Sequence, residues 1–269
     1  MQIIIPAVVL TALGILFGAG LAWAGKVFYV ESDPRVDAVR EALPGANCGA
    51  CGFPGCDGLA AAIAAGEAPA NTCPVGGNEC AQVIAAALGV EAVETIPLAA
   101  TVICQGKDGV CRAKENFHYV GEQDCRAAAL TSGGQKACRY ACLGLGTCAR
   151  SCPFGGIVME DGIAKIDPEK CTGCKTCVAV CPKNVIRMEP KDRVTALRCR
   201  ATEKGKAVRE ACTSGCIACG RCAKVCPYDA IVMKDNLPTI DYEKCKQCRE
   251  CAKACPTGAI WGKEITAEE

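Results

Sequence analysis

One histidine, two tryptophans, five tyrosines and five phenylalanines are all the imidazole and aromatic side chains in 269 residues. A lone histidine, His118, excludes a Rieske centre within this chain, which needs two, and no acid–base or nucleophilic constellation is present. Aromatics are 4% of the chain, so bulky core side chains are scarce and something besides apolar packing must hold parts of the fold together. Charge of neither sign dominates: 30 Lys and Arg against 29 Asp and Glu leave a formal +1, which points to no nucleic-acid partner. No G-x-G-x-x-G opens a βαβ unit, so neither NAD nor flavin is expected on this chain.

What abounds is cysteine, 26 residues in 269, a density otherwise typical of short secreted disulfide scaffolds. Thiolates holding metal would supply the missing core energy. Compartment separates the two readings. Ile3 to Ala24 carries no charge over 22 residues, enough for one transmembrane helix. Ala22-Trp23-Ala24 resembles a signal-peptide cleavage site, but the apolar stretch is too long and no Lys or Arg precedes it. Lys26, Arg35 and Arg40 follow it, which places the cysteine-rich part in the cytoplasm and the helix in the bacterial inner membrane, in contact with lipid. A reducing compartment favours metal over disulfides. Gly14, Gly18 and Ala22 recur every four residues, a face another helix could approach, or simply the glycine common in membrane helices.

After residues 1–27, a small helical module is expected over 28–90. Asp33-Pro34 supplies an N-cap and a first-turn proline for a helix from Arg35 to Leu43, and Gly58 to Gly66 and Glu79 to Leu88 read as alanine-rich helices. Residues 89–103 read as a connector, and 91–137 as a cysteine-containing connecting block. Beyond it lies a repeat. Cys125, Cys138, Cys142, Cys148, Cys152, Cys171, Cys174, Cys177 and Cys181 each have a cysteine 74 residues later, and IDPEKC at 166–171 matches IDYEKC at 240–245. Two tandem units follow, 138–190 and 191–269, and the expected class is α+β.

Residues 171–182 (CTGCKTCVAVCP), 216–227 (CIACGRCAKVCP) and 245–256 (CKQCRECAKACP) each carry the C-x2-C-x2-C-x3-C-P run of two-cluster ferredoxins. Three close thiolates cap one 4Fe-4S cube and the fourth reaches the other cluster. Structural zinc, the rival, pairs separate C-x2-C knuckles instead. In the second unit Cys216, Cys219, Cys222 and Cys255 then hold one cluster, and Cys226, Cys245, Cys248 and Cys251 the other. In the first, Cys152, Cys171, Cys174 and Cys177 form a set. Position 145 is Leu where the second unit has Cys219, so Cys138, one helical turn before Cys142, is expected to complete Cys142, Cys148 and Cys181. The stretch NCGACGFPGC at 47–56 supplies Cys48, Cys51 and Cys56, and Cys73 completes another cubane pattern, with zinc or disulfides as alternatives. Five clusters are expected. Cys80, Cys104, Cys111 and Cys125 are consecutive, and a sixth cluster there is a candidate; Cys199 and Cys212 would then be relics of the repeat.

An N-terminal membrane helix, a glycine-rich four-cysteine module at 48–73 with CPVGG at 73–77, and ferredoxin-type repeats closely resemble the B subunit of the Rnf complex, a membrane-bound ferredoxin:NAD oxidoreductase that couples electron transfer to sodium or proton transport. The resemblance covers essentially the whole chain. It implies that soluble reduced ferredoxin donates electrons, that the clusters relay them to other membrane subunits, and that NAD chemistry occurs on a partner. An iron–sulfur subunit of another membrane enzyme, such as a hydrogenase or formate dehydrogenase, is the alternative. It explains the repeats but not the 48–73 module beside an anchor.

Overall fold

With no charge before Lys26, residues at the N-terminus form one uninterrupted helix, α1 (Ile4–Val27), whose apolar side chains are exposed along its length. The computed structural model describes residues 4–28, 33–106, 115–193 and 195–262. Ala7–Val27 is long and apolar enough to cross a membrane. At 1.5 Å per residue its 21 residues span about 30 Å, the thickness of a hydrocarbon core. Nothing among the described residues packs on Gly14 or Gly18.

Asp33 caps α2 (Pro34–Ala42) as its sequence foretells, accepting the Arg35 N–H at 2.9 Å with Pro34 at the first turn. Helices α3 (Gly55–Ala64) and α4 (Gly77–Leu88) pack against it, and α4 ends on Gly89 in the left-handed conformation. Val39, Leu43, Leu59, Ile63 and Ile84 make the core of this module together with Cys56, Cys73 and Cys80. Among its described residues no aromatic is fully buried. Fully burying each large aliphatic stabilises by about 1.5–3 kcal/mol, so a handful supports only a small unit.

Around three lean clusters of buried side chains, the described residues beyond this module form short elements. In order these are β1 (Leu98–Val102), α5 (Cys125–Leu130), α6 (Thr147–Arg150), β2 (Ile157–Glu160), β3 (Ile163–Ile166), α7 (Thr176–Val180) and β4 (Ile186–Pro190). There follow β5 (Thr195–Leu197), α8 (Gly205–Ala211), α9 (Arg221–Lys224), β6 (Ile231–Lys234), β7 (Leu237–Ile240), α10 (Glu250–Lys253) and β8 (Ile260–Gly262). The duplication holds in register: Ile157 pairs with Ile166 in the β2–β3 hairpin, and Ile231 with Ile240 in the β6–β7 hairpin. Both hairpins turn on two residues of positive φ, Asp161-Gly162 and Asp235-Asn236, the geometry that matches strand twist.

One element departs from the sequence expectation. Residues 98–102 are not a bare connector: β1 pairs antiparallel with β4, Leu98 opposite Pro190 and Val102 opposite Ile186. The second unit repeats the arrangement with β5 on β8, Leu197 opposite Ile260. The first unit therefore begins at β1, 40 residues ahead of the expected start at 138. Val102 and Leu197 are equivalent at an offset of 95, whereas everything from Cys138 onward repeats at 74. Twenty-one extra residues thus lie between the first strand and the first repeated cysteine. By strand register the counterpart of Cys199 is Cys104, two residues past β1, and the Cys125–Cys199 match at 74 is a coincidence of number.

Candidate metal centres

In the helical module the loop at 47–56 is held by Asn47, itself at φ 48°, whose Oδ1 accepts the Cys56 N–H at 2.8 Å. Gly55 sits at φ 85°, and a Cβ there would stand 3.1 Å from that Oδ1, so both glycine's conformational freedom and its lack of side chain are used. Cys56 and Cys73 are buried, Cys48 and Cys51 half-buried. Burial pushes the Cys73 thiol up, and Cys51 and Cys56 add to the rise, while the Gly76 N–H donates to its sulfur at 3.4 Å.

In the first unit, Cys152, Cys171, Cys174 and Cys177 line one cavity. Burial, reinforced by the other three thiols, raises Cys177 to about 11. Strand β1 contributes here too, since the Ala100 N–H donates to the Cys171 sulfur at 3.3 Å. A second cavity is lined by Cys142, Cys148 and Cys181, and its fourth cysteine is Cys125. Burial pushes the Cys148 thiol to about 12, with Cys142, Cys125 and Cys181 adding to it. Cys125 opens α5 and is stapled in place: its N–H donates to Thr147 Oγ1 at 2.7 Å, and that hydroxyl donates to Asp124 Oδ2 at 3.0 Å.

This corrects the expectation that Cys138 completes the set. Residues 138–141 form a turn, closed by the Ala141 N–H on the Cys138 carbonyl at 2.9 Å, so Cys138 and Cys142 do not share a helical face. Cys138 lines a different space, with Cys104, Cys199 and Cys212. The expected quartet of Cys80, Cys104, Cys111 and Cys125 is likewise not gathered. Cys80 belongs to the helical module, its thiol pushed to about 11 by burial and donating to the Ala42 carbonyl at 3.2 Å. Cys104 and Cys125 line separate cavities, and Cys111 lies outside the described residues.

In the second unit Cys216, Cys219, Cys222 and Cys255 line one cavity. Burial alone would raise Cys255, but the N–H groups of Ile260, Thr257 and Ala259 and the Thr257 hydroxyl outweigh it and hold this thiol below its usual value. The partner group shows the same logic. Burial, with Cys245 and Cys248 adding, pushes Cys251 to about 11, while N–H groups of Ala230 and Gln247 reach the Cys226 and Cys245 sulfurs at 3.4 Å each. His118 is exposed.

The donor set fits iron–sulfur cubes. It is all sulfur, backbone N–H groups point at the sulfurs, and no disulfide joins any described cysteine. The thiols ring spaces and do not converge: among the described residues no three Cys, His, Asp or Glu side chains are close enough to share a single ion. Tetrahedral zinc, with Zn–S of about 2.3 Å, would need sulfurs about 3.8 Å apart.

The chain is 51% identical to the B subunit of the Na(+)-translocating ferredoxin:NAD(+) oxidoreductase complex of Acetobacterium woodii, over 91% of this chain and 73% of that protein. It is 45% identical to the B subunit of the proton-translocating ferredoxin:NAD(+) oxidoreductase complex of Clostridium ljungdahlii, over 90% and 86%. It is 42% identical to the B subunit of the ion-translocating oxidoreductase complex of Methanosarcina acetivorans, over 88% and 89%. The chain belongs to the Rnf B-subunit family. Three family models match within this Rnf chain: "Putative Fe-S cluster" at 43–75, 4Fe-4S binding domain at 164–187 and 4Fe-4S dicluster domain at 215–259. None of the three covers 98–104 or 125–148, where β1, Cys104 and Cys125 depart from what the sequence repeat alone suggests. The signal that could have found Cys125 is Asp124, a helix cap immediately before it.

Proposed function

We propose that this chain is the multi-cluster electron-transfer subunit of a membrane-bound ion-translocating ferredoxin:NAD oxidoreductase, taking electrons from soluble reduced ferredoxin and relaying them to membrane subunits. The observation that carries the reading is the presence of thiol-lined cavities in two successive units, two in the first and one in the second, of a chain related over most of its length to Rnf B subunits. Five 4Fe-4S sites are assigned: Cys48, Cys51, Cys56 and Cys73; Cys125, Cys142, Cys148 and Cys181; Cys152, Cys171, Cys174 and Cys177; Cys216, Cys219, Cys222 and Cys255; Cys226, Cys245, Cys248 and Cys251. The last four sites make two tandem two-cluster ferredoxin-like units.

When bound, the clusters supply one-electron redox chemistry. The residues do the rest. Thiolates anchor the iron, N–H groups of Gly76, Ala100, Ala230 and Gln247 stabilise negative charge on sulfur, and the small apolar cores cover one side of the sites through Cys148, Cys177, Cys222 and Cys251, while Cys219 and Cys248 face solvent. No acid–base group is required, because no proton is moved on a substrate. Helix α1 anchors the chain in the cytoplasmic membrane with the cysteine-rich part on the cytoplasmic side, a reading supported by Lys26, Arg35 and Arg40 following the apolar stretch. The module at 48–73 follows α1 most closely in the chain and is the hand-off to the membrane subunits.

The test uses the full chain, purified anaerobically in detergent. A broad visible absorption that reduced ferredoxin bleaches is expected, and a colourless protein, or one that ferredoxin leaves unbleached, refutes the reading. In the assembled complex, Cys48→Ala should abolish ferredoxin:NAD activity while ferredoxin still bleaches the remaining clusters. Unchanged activity would contradict the hand-off.

A further inference from the structure

Four cysteines outside the five assigned sites meet at the seam between the two units. Cys104 and Cys138 come from the first unit, Cys199 and Cys212 from the second, and all four line one cavity. Its volume, about 30 Å³, matches or exceeds the roughly 20 Å³ of each of the three cavities lined by four of the assigned cysteines.

The contributions are equivalent by descent within the chain. Cys104 lies two residues past β1 and Cys199 two residues past β5, at the same register against β4 and β8. Cys138 and Cys212 are the repeat pair at offset 74. Each unit therefore presents the same two positions to the other, the self-complementary arrangement that a two-fold interface produces. Such a seam gathers four ligands from a fold that supplies two.

The seam is tied on both sides. Arg198 Nη1 donates to the Val102 carbonyl at 3.0 Å, Arg200 Nη1 to the Lys183 carbonyl at 2.8 Å, and the hydroxyls of Tyr140 and Thr202 are 2.9 Å apart. The chemistry around the cavity repeats that of the assigned sites. The Gly106 N–H donates to the Cys104 sulfur at 3.3 Å, and the Cys142 N–H reaches the same atom. Arg198 and Arg200 line the same space and offset the negative charge a tetrathiolate cluster brings.

We propose that Cys104, Cys138, Cys199 and Cys212 hold a sixth 4Fe-4S cluster shared between the two units. The assignment rests on the electron-transfer reading and makes the two units one continuous set of redox centres. The sequence points elsewhere because the 21 extra residues after Cys104 hide its equivalence to Cys199.

Iron and acid-labile sulfide are counted on the anaerobically purified full chain, with electron paramagnetic resonance of the reduced protein. About 24 iron per chain is expected, against about 20 for five cubes. Cys104→Ala with Cys138→Ala, and separately Cys199→Ala with Cys212→Ala, should each remove about four iron and the same spectral component. Cys80→Ala should remove none. Because the two double variants alter different units, misfolding of one would strip different spectral components from misfolding of the other. About 20 iron in the unaltered chain, full iron in either double variant, different components lost from the two, a zinc ion at the seam, or seam disulfides in the anaerobic protein would each overturn the sixth site. A count near 20 with ferredoxin bleaching intact sinks this inference alone; absence of iron sinks the electron-transfer reading as well.

Discussion

Asn47 offers the sharpest test of how the loop around the first cluster is held. Asn47→Ala removes the acceptor of the Cys56 N–H, now 2.8 Å away, and strands a partly buried donor, a loss of about 1–2 kcal/mol. It also places alanine at φ 48°, where an L side chain without a local hydrogen bond costs about 1 kcal/mol more. The sum, about 2–3 kcal/mol, is a 30- to 150-fold change in any opening equilibrium of the loop. Two companions separate the contributions. Asn47→Gly relieves the backbone and loses only the hydrogen bond, for about 5- to 30-fold. Asn47→Asp keeps an acceptor and tolerates the conformation, and should stay within about threefold of the native chain. The assay is anaerobic transfer of iron to a ferrous chelator, following the fraction of iron that Cys73→Ala also loses. The order of rates should be Ala above Gly, Gly above Asp, and Asp near the native chain. An alanine variant no faster than the aspartate variant would refute the reasoning.

Thr147→Val should break the staple between α5 and α6 at a cost of about 1–3 kcal/mol and destabilise the site containing Cys125, seen as selective iron loss on warming, whereas Thr147→Ser should behave as native. Burial raises the Glu189 carboxyl above its ordinary value of 4.5, more than Arg198 and Arg187 lower it, so its contribution to stability is present below that value and is lost as pH rises through the folded pKa. Glu189→Gln should therefore be neutral to stabilising in denaturant titrations at pH 7, and the difference should vanish below about pH 4.5. Leu13→Arg in α1 should cost about 2.5–3.5 kcal/mol of insertion and move the chain from the membrane to the soluble fraction on cell fractionation. If that variant still sediments with membranes after a carbonate wash, α1 is not the anchor.

Much of this fold is legible wherever the information is local. Asp33-Pro34 announces α2, and the C-x2-C-x2-C runs announce clusters because three ligands of one cube sit within a single turn of loop. The hairpins follow from Asp161-Gly162 and Asp235-Asn236, turn residues between short strands that carry apolar residues. Partners distant in sequence escape. Strand β1 finds β4 some 84 residues away by registry that LAATV alone does not encode. Cys138 is misassigned for a related reason: spacing of four suggests a helix, but the segment holds Arg139-Tyr140 in a turn whose tyrosine reaches Thr202 of the other unit. Cys104 and Cys199 line one cavity although 95 residues separate them, a juxtaposition set by the pairing of β1 with β4 and β5 with β8.

The segment between α4 and β1 is laced to the helical module along most of its length. Asn78 Oδ1 accepts the Thr95 N–H at 2.9 Å and its Nδ2 donates to the Thr95 carbonyl at 3.0 Å, while Asn71 Nδ2 donates to the Val93 carbonyl at 3.2 Å. Only Ile96 and Pro97 then remain before β1 begins. Two residues reach at most about 7 Å, so with those hydrogen bonds in place the tether between Thr95 and β1 is too short for a long-reaching carrier arm. Lengthening the chain after Pro97 with glycine and serine would loosen that short tether and is expected to slow any electron transfer that depends on it.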